Sequence, residues 1–520
     1  MRLSFAVLLL VYFAPGQLLS QILPKEASVH SYRLTGFSFP ADKRATGYKI
    51  EIASGSYDNE NDFKENIVST VPGKTNRIIT AVPSFGRQYT WRTVYEGPDF
   101  ATYSELHHFS TSAVTYVDSA VTRLRVIKKT TQYKYAYFFV DGTRTLYDME
   151  GHPVWYLPNI PGSVNADATV RDLKLSCKGT ITFMIDIDGP QDYEINYDGT
   201  VLWQGPNNGK VNGEKNENYH HEFTRLCNGH YMALGTQHGF WNRDPATSDN
   251  DNFLVFPGNG SGQTNPGRSY QPAPFATLIE YDQSGNVVWS WKSSTYFARS
   301  DLRYRPSAMG IENADVHDNA FFFDEKTSNI YVSFKNINRI VKVHYPDGKV
   351  LNSYGDKYAK DQPEKANGIF CKQHCAKLSE QGYLYVYNNN DCNPAAPPSI
   401  VMMQEPVSEN DTLKKIWEFI CPDELITTAN NNSGMNFRST GGGSVSELPD
   451  GSIFASMSAN HGNIFIVNRD KKILWNAVPE RWNADEKKWE MIGTYRASII
   501  TNPRDLLQLI WNVADVSGTK

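Results

Sequence analysis

The nine residues "YDGTVLWQG", Tyr197–Gly205, pair an aromatic and polar turn with a short apolar run that ends on Trp203. The same unit recurs as "YDMEGHPVWYL" (147–157), "YDQSGNVVWSW" (281–291), "YPDGKVLNSYG" (345–355), "DTLKKIWEF" (411–419) and "NRDKKILWNA" (468–477). Its tryptophans are Trp155, Trp203, Trp289, Trp417 and Trp475, and the copy at 345–355 carries Leu351–Asn352 instead. Six copies at spacings of roughly 50 to 85 residues make an internal repeat. A second unit, a tight turn followed by a strand, precedes most of them: "SCKGTITFMI", "LCNGHYMALG", "DEKTSNIYVSF", "SEQGYLYVYN" and "LPDGSIFASM". Each repeat is therefore a set of short strands joined by turns. Radial repetition of four-stranded sheets is the β-propeller, and six repeats predict six blades over residues 120–512. A β-solenoid fits less well, because its coils are shorter and more regular than these spacings. Residues 205–275 interrupt the period with "NGSGQ" and "NPGRSYQPAP", which predicts a long insertion covering one face.

Upstream the texture differs. In residues 29–112, "ATGYKIEIAS" and "QYTWRTVYEG" alternate apolar and polar positions at period two, with Gly, Pro, Asn and Asp between the runs. This resembles a fibronectin type III module, a β-sandwich with Tyr48 and Trp91 as core residues. The chain is thus predicted to be all-β, a sandwich followed by a propeller. The pair His107–His108, at the end of the last sandwich strand, reads as surface.

The chain has 520 residues and a formal charge of −5, with no dense Lys/Arg run, which argues against nucleic acid as a partner. Aromatic content of 13%, including 29 Tyr, suits strands. Residues 1–20 read as a secretory signal: Arg2, the apolar "LSFAVLLLVYF", then "GQLLSQ" for cleavage after Ser20. That run is short of the roughly 20 residues a span needs, so a soluble protein exported to the periplasm or beyond is expected. Six cysteines in an exported chain permit disulfides. Cys371, Cys375, Cys392 and Cys421 fall close together and are the candidates, Cys371–Cys375 among the pairings that would brace the chain around His374. No C-x-x-C pair occurs, and "YHHEF" is not H-E-x-x-H because Arg225 stands where the second His belongs, so no metal is expected.

The repeat gives the histidines a register. His221 lies eight residues before Gly229, His374 eight before Gly382, and His317 about eleven before the Thr327–Ser328 turn. Three successive repeats thus carry a His near the start of the same strand, the one that lines a propeller's axis, and these imidazoles are expected to converge. His152, His230 and His344 sit at turns and read as structural or solvated. Asn319 lies two beyond His317, and Lys335 lies in the following "VSFKNIN".

The stretches "YHHEF", "HDNAF", "VSFKNIN" and "KQHCA" together resemble, in order and spacing, the motifs of the bacterial arylsulfate sulfotransferase family. The resemblance covers about residues 120–500. It implies a six-bladed propeller behind an N-terminal β-sandwich, exported, moving a sulfuryl group from an aryl sulfate donor to a phenolic acceptor without a nucleotide donor and without a cofactor. It casts His374 as the transiently sulfurylated residue, with His221, His317 and Asn319 assisting. His220, Tyr219 and Gln373, in the same motifs, are expected to contact substrate. Lys335 replaces the family's Arg, exchanging a planar fork of donors for a point charge. The "HD" after Gln is "HC" here, and "HHD" is "HHE".

The chemistry suits these groups. Neutral imidazole is a nucleophile that holds a sulfuryl group between donor and acceptor, splitting one hard step into two with ping-pong kinetics. A second His, titrating near neutrality, carries the protons. Fixed cations and donors balance the charge on the sulfuryl oxygens. Two other readings stand beside it. One is a non-catalytic exported propeller that binds a ligand or protein, since propellers host many functions. The other is a propeller hydrolase holding Ca²⁺ at "NNNDCN" (Asn388–Asn393). A homodimer is compatible with either.

Overall fold

The computed structural model describes residues 22–162, 164, 168–185, 191–242, 254–256, 267, 270–297, 316–355, 369–392, 396–407, 412–425, 441–457 and 462–515. The expected signal segment lies outside them. The chain forms two compact units, residues 1–112 and 113–520, and both are built from strands.

In the first unit, one sheet runs in the order Ser28–His30, His107–Thr111, Arg87–Gly97, Gly47–Ser54, Ile67–Gly73, with Phe100–Tyr103 also on Arg87–Gly97; Leu34–Ser38 pairs Arg77–Ala81 in the other. The alternating strands turn Phe37, Ile50, Ile52, Trp91 and Phe109 into a common core, with Tyr48 at its edge. The histidine pair expected at the surface is half-buried: His107 packs on the Trp91 ring at 5.0 Å, and His108 meets Glu26 at 2.9 Å.

The second unit is a six-bladed propeller. Blade 2 consists of Val170–Leu175, Ile181–Ile185, Gln191–Ile195 and Val201–Gln204. Blade 3 has Phe223–Arg225, Tyr231–Asn242, Tyr270–Tyr281 and Val287–Lys292; blade 4 has Asp318–Asp324, Asn329–Phe334, Arg339–His344 and Val350–Gly355. Blade 5 has His374–Leu378, Leu384–Asn388, Ser399–Gln404 and Lys414–Ile420; blade 6 has Ser444–Glu447, Ile453–Ser456, Ile464–Val467 and Ile473–Asn483. Blade 1 closes the ring. Tyr137–Val140, Thr145–Asp148 and Pro153–Tyr156 come from the start of the unit, and Ala497–Ile500, from its end, supplies the inner strand. Inner strands touch their neighbours around the axis, as between Asp318–Asp324 and His374–Leu378 or Val170–Leu175 and Ala497–Ile500. Part of the 205–275 interruption is a lengthening of blade 3, whose two central strands pair over twelve residues each and carry Leu254–Val255 at one side. The "NGSGQ" stretch and most of "NPGRSYQPAP" lie outside the described residues or inside this hairpin.

The repeat that marks the sequence has a physical cause. Its tryptophans lie on the outermost strands. Trp155 Nε1 donates to Tyr197 O at 2.7 Å, Trp289 to Pro346 O at 2.7 Å, Trp417 to Arg469 O at 2.9 Å and Trp475 to Met149 O at 2.9 Å. Each indole therefore reaches the turn before the outermost strand of the next blade, so the turn and the Trp of one copy engage different neighbours. Trp203 instead stacks on Tyr231 of blade 3 at 3.8 Å. Between blades 4 and 5, where the Trp is missing, Glu405 accepts from Tyr331 Oη at 2.7 Å, pairs with Lys342 at 3.0 Å and takes the Tyr354 hydroxyl as well. A half-buried carboxylate with three partners replaces one indole.

Two disulfides are present. Cys177–Cys227 joins the first turns of blades 2 and 3, and Cys371–Cys392 joins the approach to His374 to the segment after Leu384–Asn388. Cys371–Cys392 falls within the expected set, and the rest of that set is corrected. Cys375 and Cys421 are buried thiols, Cys375 does not pair with Cys371, and the Cys177–Cys227 pair was not among the candidates. Cys375 faces blade 6, where its sulfur accepts from Val445 N at 3.5 Å, away from Cys371. Among the described residues no helix is long and apolar enough to cross a membrane, which together with two disulfides is consistent with an exported protein.

Candidate functional site

The inner strands do not begin as regular ladders. Asp172, His221, His317 and Cys375 all have left-handed backbones, with φ of 55°, 63°, 51° and 52°. The pairing slips between Arg171 and Lys174, between Asp318 and Ala320 and between His374 and Lys377. A bulge at a strand's start re-aims the side chain beside it. Left-handed backbone in non-glycine residues costs on the order of 1–3 kcal/mol each and persists where the surroundings fix it. In this protein Arg171, His221, His317 and His374 from the strand entries, Lys335 from the turn after Asn329–Phe334 and Tyr495 from just before the closing strand line one cavity of about 780 Å³ in the propeller unit. His221 and His317 meet edge to face at 5.3 Å between ring centroids, and the Tyr495 ring lies 5.7 Å from His221 and 6.3 Å from His374. Arg171 places its guanidinium carbon 4.8 Å from the centre of the Tyr495 ring.

His374 borders the cavity but is almost wholly buried, and both of its ring nitrogens are engaged. Asn389 Nδ2 donates to Gly442 O at 3.1 Å, so its Oδ1 is left to face His374 Nδ1 at 2.6 Å, and the imidazole must be the donor there. Gly442 N–H then donates to Nε2 at 3.1 Å. Burial and the Lys335 ammonium hold this imidazole well below its ordinary range, against the Asn389 hydrogen bond, so the ring is neutral near pH 7. His221 is pushed down as well, by burial, by the adjoining imidazoles of His220 and His317, and by Arg171. Its Nδ1 faces Nδ1 of His220 at 2.7 Å, so a single proton lies between the two rings, and His220 Nε2 approaches Asp318 at 3.4 Å.

Under the histidines lies a buried ion cluster. Arg496 meets Asp172 at 2.8 Å and Glu222 at 3.0 Å and donates to Asn319 O at 3.0 Å. Lys174 and Lys377 reach Glu222 at 3.5 and 3.4 Å. Burial raises the Glu222 carboxyl, but Arg496, Lys377 and Lys174 outweigh it and bring it down to about 2. Asp141 accepts from the backbone N–H of Tyr495 at 3.0 Å and of Arg496 at 2.8 Å, yet burial pushes it up to about 7. Arg144 and Arg481 also line the cavity, and Asp141 is the one carboxylate in its described lining. The cavity is thus cationic and rich in hydrogen-bond donors, a setting for an anionic oxygen cluster.

Other expected residues lie elsewhere. Tyr219 is buried in the blade 3 core, donating to Tyr281 Oη at 2.8 Å, and is not part of the cavity lining. Gln373 Nε2 holds Ser333 Oγ, Phe334 O and Arg339 O at 3.0 to 3.2 Å, so it anchors the His374 strand to blade 4. Asn319 Nδ2 donates to Gln373 O at 2.7 Å and supports the same strand from beneath. His220 backs His221. His152, His230 and His344 pair with Asp148, Glu280 and Asp347. In "NNNDCN", Asn388 accepts from Cys371 N at 2.8 Å, Asn389 serves His374, and Asn390 donates to Pro397 O at 3.1 Å. Among the described residues no group of three or more His, Cys, Asp or Glu is arranged to hold a metal ion.

Arg171, Tyr495, Asn389 and Gly442 were not anticipated. Arg171 had a legible signal, for it lies eight residues before Gly179, the register of His221 and His374. Tyr495 and Gly442 reach the site from the closing strand and from blade 6, which no local pattern announces.

Residues 244–421 match the family model Arylsulfotransferase (ASST), a stretch that includes His317, Lys335 and His374 but neither His221 nor Tyr495. The match supports an arylsulfotransferase-type function. No curated protein matches the chain. Among solved structures, a protein of unknown function from Bacteroides caccae is 12% identical, with 74% of this chain and 100% of that chain covered at a TM-score of 0.34. A putative 6-phosphogluconolactonase from Bacteroides uniformis is 11% identical (88% and 100% covered, TM-score 0.29). The periplasmic gluconolactonase of Pseudomonas aeruginosa is 10% identical (87% and 98% covered, TM-score 0.28). Likeness at this level carries no activity over to this chain.

Proposed function

We propose that the protein transfers a sulfuryl group from an aryl sulfate ester to a phenol, in two half-reactions through His374. The observation that carries this reading is the cationic cavity on which imidazoles from three successive blades converge. In the first half, the Nε2 lone pair of His374 forms a bond to sulfur while the bond from sulfur to the aryl oxygen breaks. The phenolate leaves with the electron pair, and the Lys335 ammonium meets the charge that develops there. Arg171 and His317 face the sulfuryl oxygens. In the second half the acceptor phenol attacks sulfur, its proton passes to His221, and Nε2 recovers its electron pair. Its surroundings make His221 a weak base by itself, and the proton it shares with His220, with Asp318 behind, gives the incoming charge somewhere to go. Splitting the transfer this way is covalent catalysis, and the fingerprint is ping-pong kinetics.

The test is an incubation of the purified protein with 4-nitrophenyl sulfate and a phenol, without added nucleotide. Release of 4-nitrophenol, and an adduct about 80 Da heavier on His374 when the acceptor is withheld, is the expected result. His374→Asn should remove both, lowering turnover by about 10⁴-fold or more. Full turnover in that variant, or single-displacement kinetics, would overturn the scheme. Lack of turnover with every aryl sulfate would leave an exported propeller that binds an anionic ligand.

A further inference from the structure

We propose that Asn389 is a positioning residue that fixes the tautomer of His374 and, by being an amide and not a carboxylate, keeps the sulfurylated ring reactive. This rests on the reading of His374 as the nucleophile. The geometry is a closed ring of hydrogen bonds. Asn389 is 2% exposed and uses both ends of its amide, Oδ1 for His374 Nδ1–H at 2.6 Å and Nδ2 for Gly442 O at 3.1 Å, while Gly442 N–H returns to His374 Nε2 at 3.1 Å. The orientation of the amide is thereby decided, and with it the proton on Nδ1 and the lone pair on Nε2. A carboxylate at 389 would set one of its oxygens against the Gly442 carbonyl, so the site selects Asn over Asp. Gly442 is equally constrained: its φ is 103°, and a Cβ would come within 2.8 Å of both the Tyr495 ring and the Tyr495 carbonyl.

The consequence follows from counting protons. When Nε2 bonds to sulfur, the lone pair that accepted from Gly442 is consumed, so the Gly442 N–H must yield that position to sulfur and turn to the sulfuryl oxygens, three strong acceptors. The resting cap on the nucleophile becomes a donor to the group it carries. The Nδ1 proton stays on the ring, because an amide oxygen is too weak a base to take it. The sulfuryl group therefore sits on a cationic imidazolium, a better leaving group than a neutral imidazole. On transfer, the acceptor oxygen bonds to sulfur, the S–Nε2 bond breaks, and its electron pair returns to Nε2. A carboxylate at 389 would share or remove the Nδ1 proton, drain that charge and slow the second half. It would also favour the imidazolium before reaction. The other groups around His374 press the opposite way: Lys335 and His317 from blade 4, and Arg496 from the closing strand, all disfavour a charged ring, and neutral Tyr495 and His221 flank it.

Three proteins test this: wild type, Asn389→Asp and Asn389→Ala, each with its Tm measured to confirm folding. In ¹⁵N-histidine NMR without substrate, wild-type His374 should be a neutral Nδ1–H tautomer well into the acid range. Asn389→Ala should lose that preference, and Asn389→Asp should charge at higher pH. With 4-nitrophenyl sulfate, the acid limb of the pH–rate profile of Asn389→Asp should move up by about one pH unit or more. Its adduct of about 80 Da should live about ten-fold longer while forming at a rate changed less. Asn389→Ala should slow both halves by about 10–100-fold, the usual loss when a histidine's orienting partner is removed. Wild-type tautomer, acid limb and adduct lifetime in both variants would overturn the proposal. If the wild type never forms an adduct, the transfer reading fails, and the NMR arm alone decides on Asn389: a tautomer lost in Asn389→Ala upholds its positioning role, and a tautomer retained overturns it.

Discussion

At the outer edge of the propeller, Trp155, Trp289, Trp417 and Trp475 repeat one act, an indole N–H given to a backbone carbonyl of the next blade. At the inner edge the repeat is kept in position and changed in content. The entry residues are Arg171 in blade 2, His221 in blade 3, His317 in blade 4 and His374 in blade 5, with bulges and left-handed backbones beside them. The outer edge faces the same problem at each junction, joining two blades, and at four of the six one residue type solves it in the same way. The inner edges face each other across an axis, so each sees a different neighbour, and identical residues there would stack like charge on like charge. Stability is written in what recurs, and chemistry in what differs at a recurring position.

This contrast can be broken at its inner edge first. Arg496→Met removes the most buried cation that Asp172 and Glu222 share, leaving them to Lys174 and Lys377, and should cost about 3 kcal/mol. Chemical denaturation should show the loss, and turnover should fall with it, since the cluster underlies the histidines. The outer edge should behave differently. Trp475→Ala empties a fully buried site and should also cost about 3–5 kcal/mol, yet turnover per folded molecule should stay within about two-fold. A turnover loss as large as that of Arg496→Met would mean the two edges are not separable.

A subtler division lies in pH. Asp141 has a folded pKa raised to about 7 by burial, so the folded chain binds this proton more tightly than the unfolded one. Its stabilising contribution is complete below the ordinary carboxyl range and is lost as pH rises toward about 7. Glu222, brought down to about 2, works in the opposite sense: its contribution is complete above the ordinary carboxyl range and is lost as pH falls from there to about 2. Tm should therefore decline between about pH 4 and 7, and Asp141→Asn should flatten that slope. An unchanged slope would remove Asp141 from the account. The smallest effect belongs to Lys335→Arg. If the cation's task is to meet sulfuryl and phenolate charge, a forked donor should hold turnover or raise it by a few-fold, without changing Tm.

Much of this was legible before folding was considered. The Trp-ending unit made the blade count legible, because the fourth strand of most blades is tied to the next blade by the same clamp. His221 and His374 are legible by register, and Arg171 holds the same register with a guanidinium where its neighbours carry imidazoles. The same reasoning reaches Cys177 and Cys227, each two residues before a turn glycine in adjacent repeats and bonded to each other. Proximity in sequence misled in the other cysteines. Cys371 and Cys375 lie four residues apart, but the strand that begins at His374 turns Cys375 toward blade 6.

The sequence by itself determined an all-β chain with a repeat of period near one blade, and it determined which repeats carry histidine at their inner edge. Those are local properties, set by turn residues, alternation and spacing within one copy. Only the tertiary structure decided that Asn389 orients His374, that Gly442 from blade 6 caps its other nitrogen, that Tyr495 lies between two imidazoles and that Tyr219 and Gln373 are spent on packing. These are contacts between blades. Closing a ring brings together residues as far apart as Asp172 and Arg496, and the free energy of each such contact depends on what the neighbouring blade presents, which no single copy of the repeat contains.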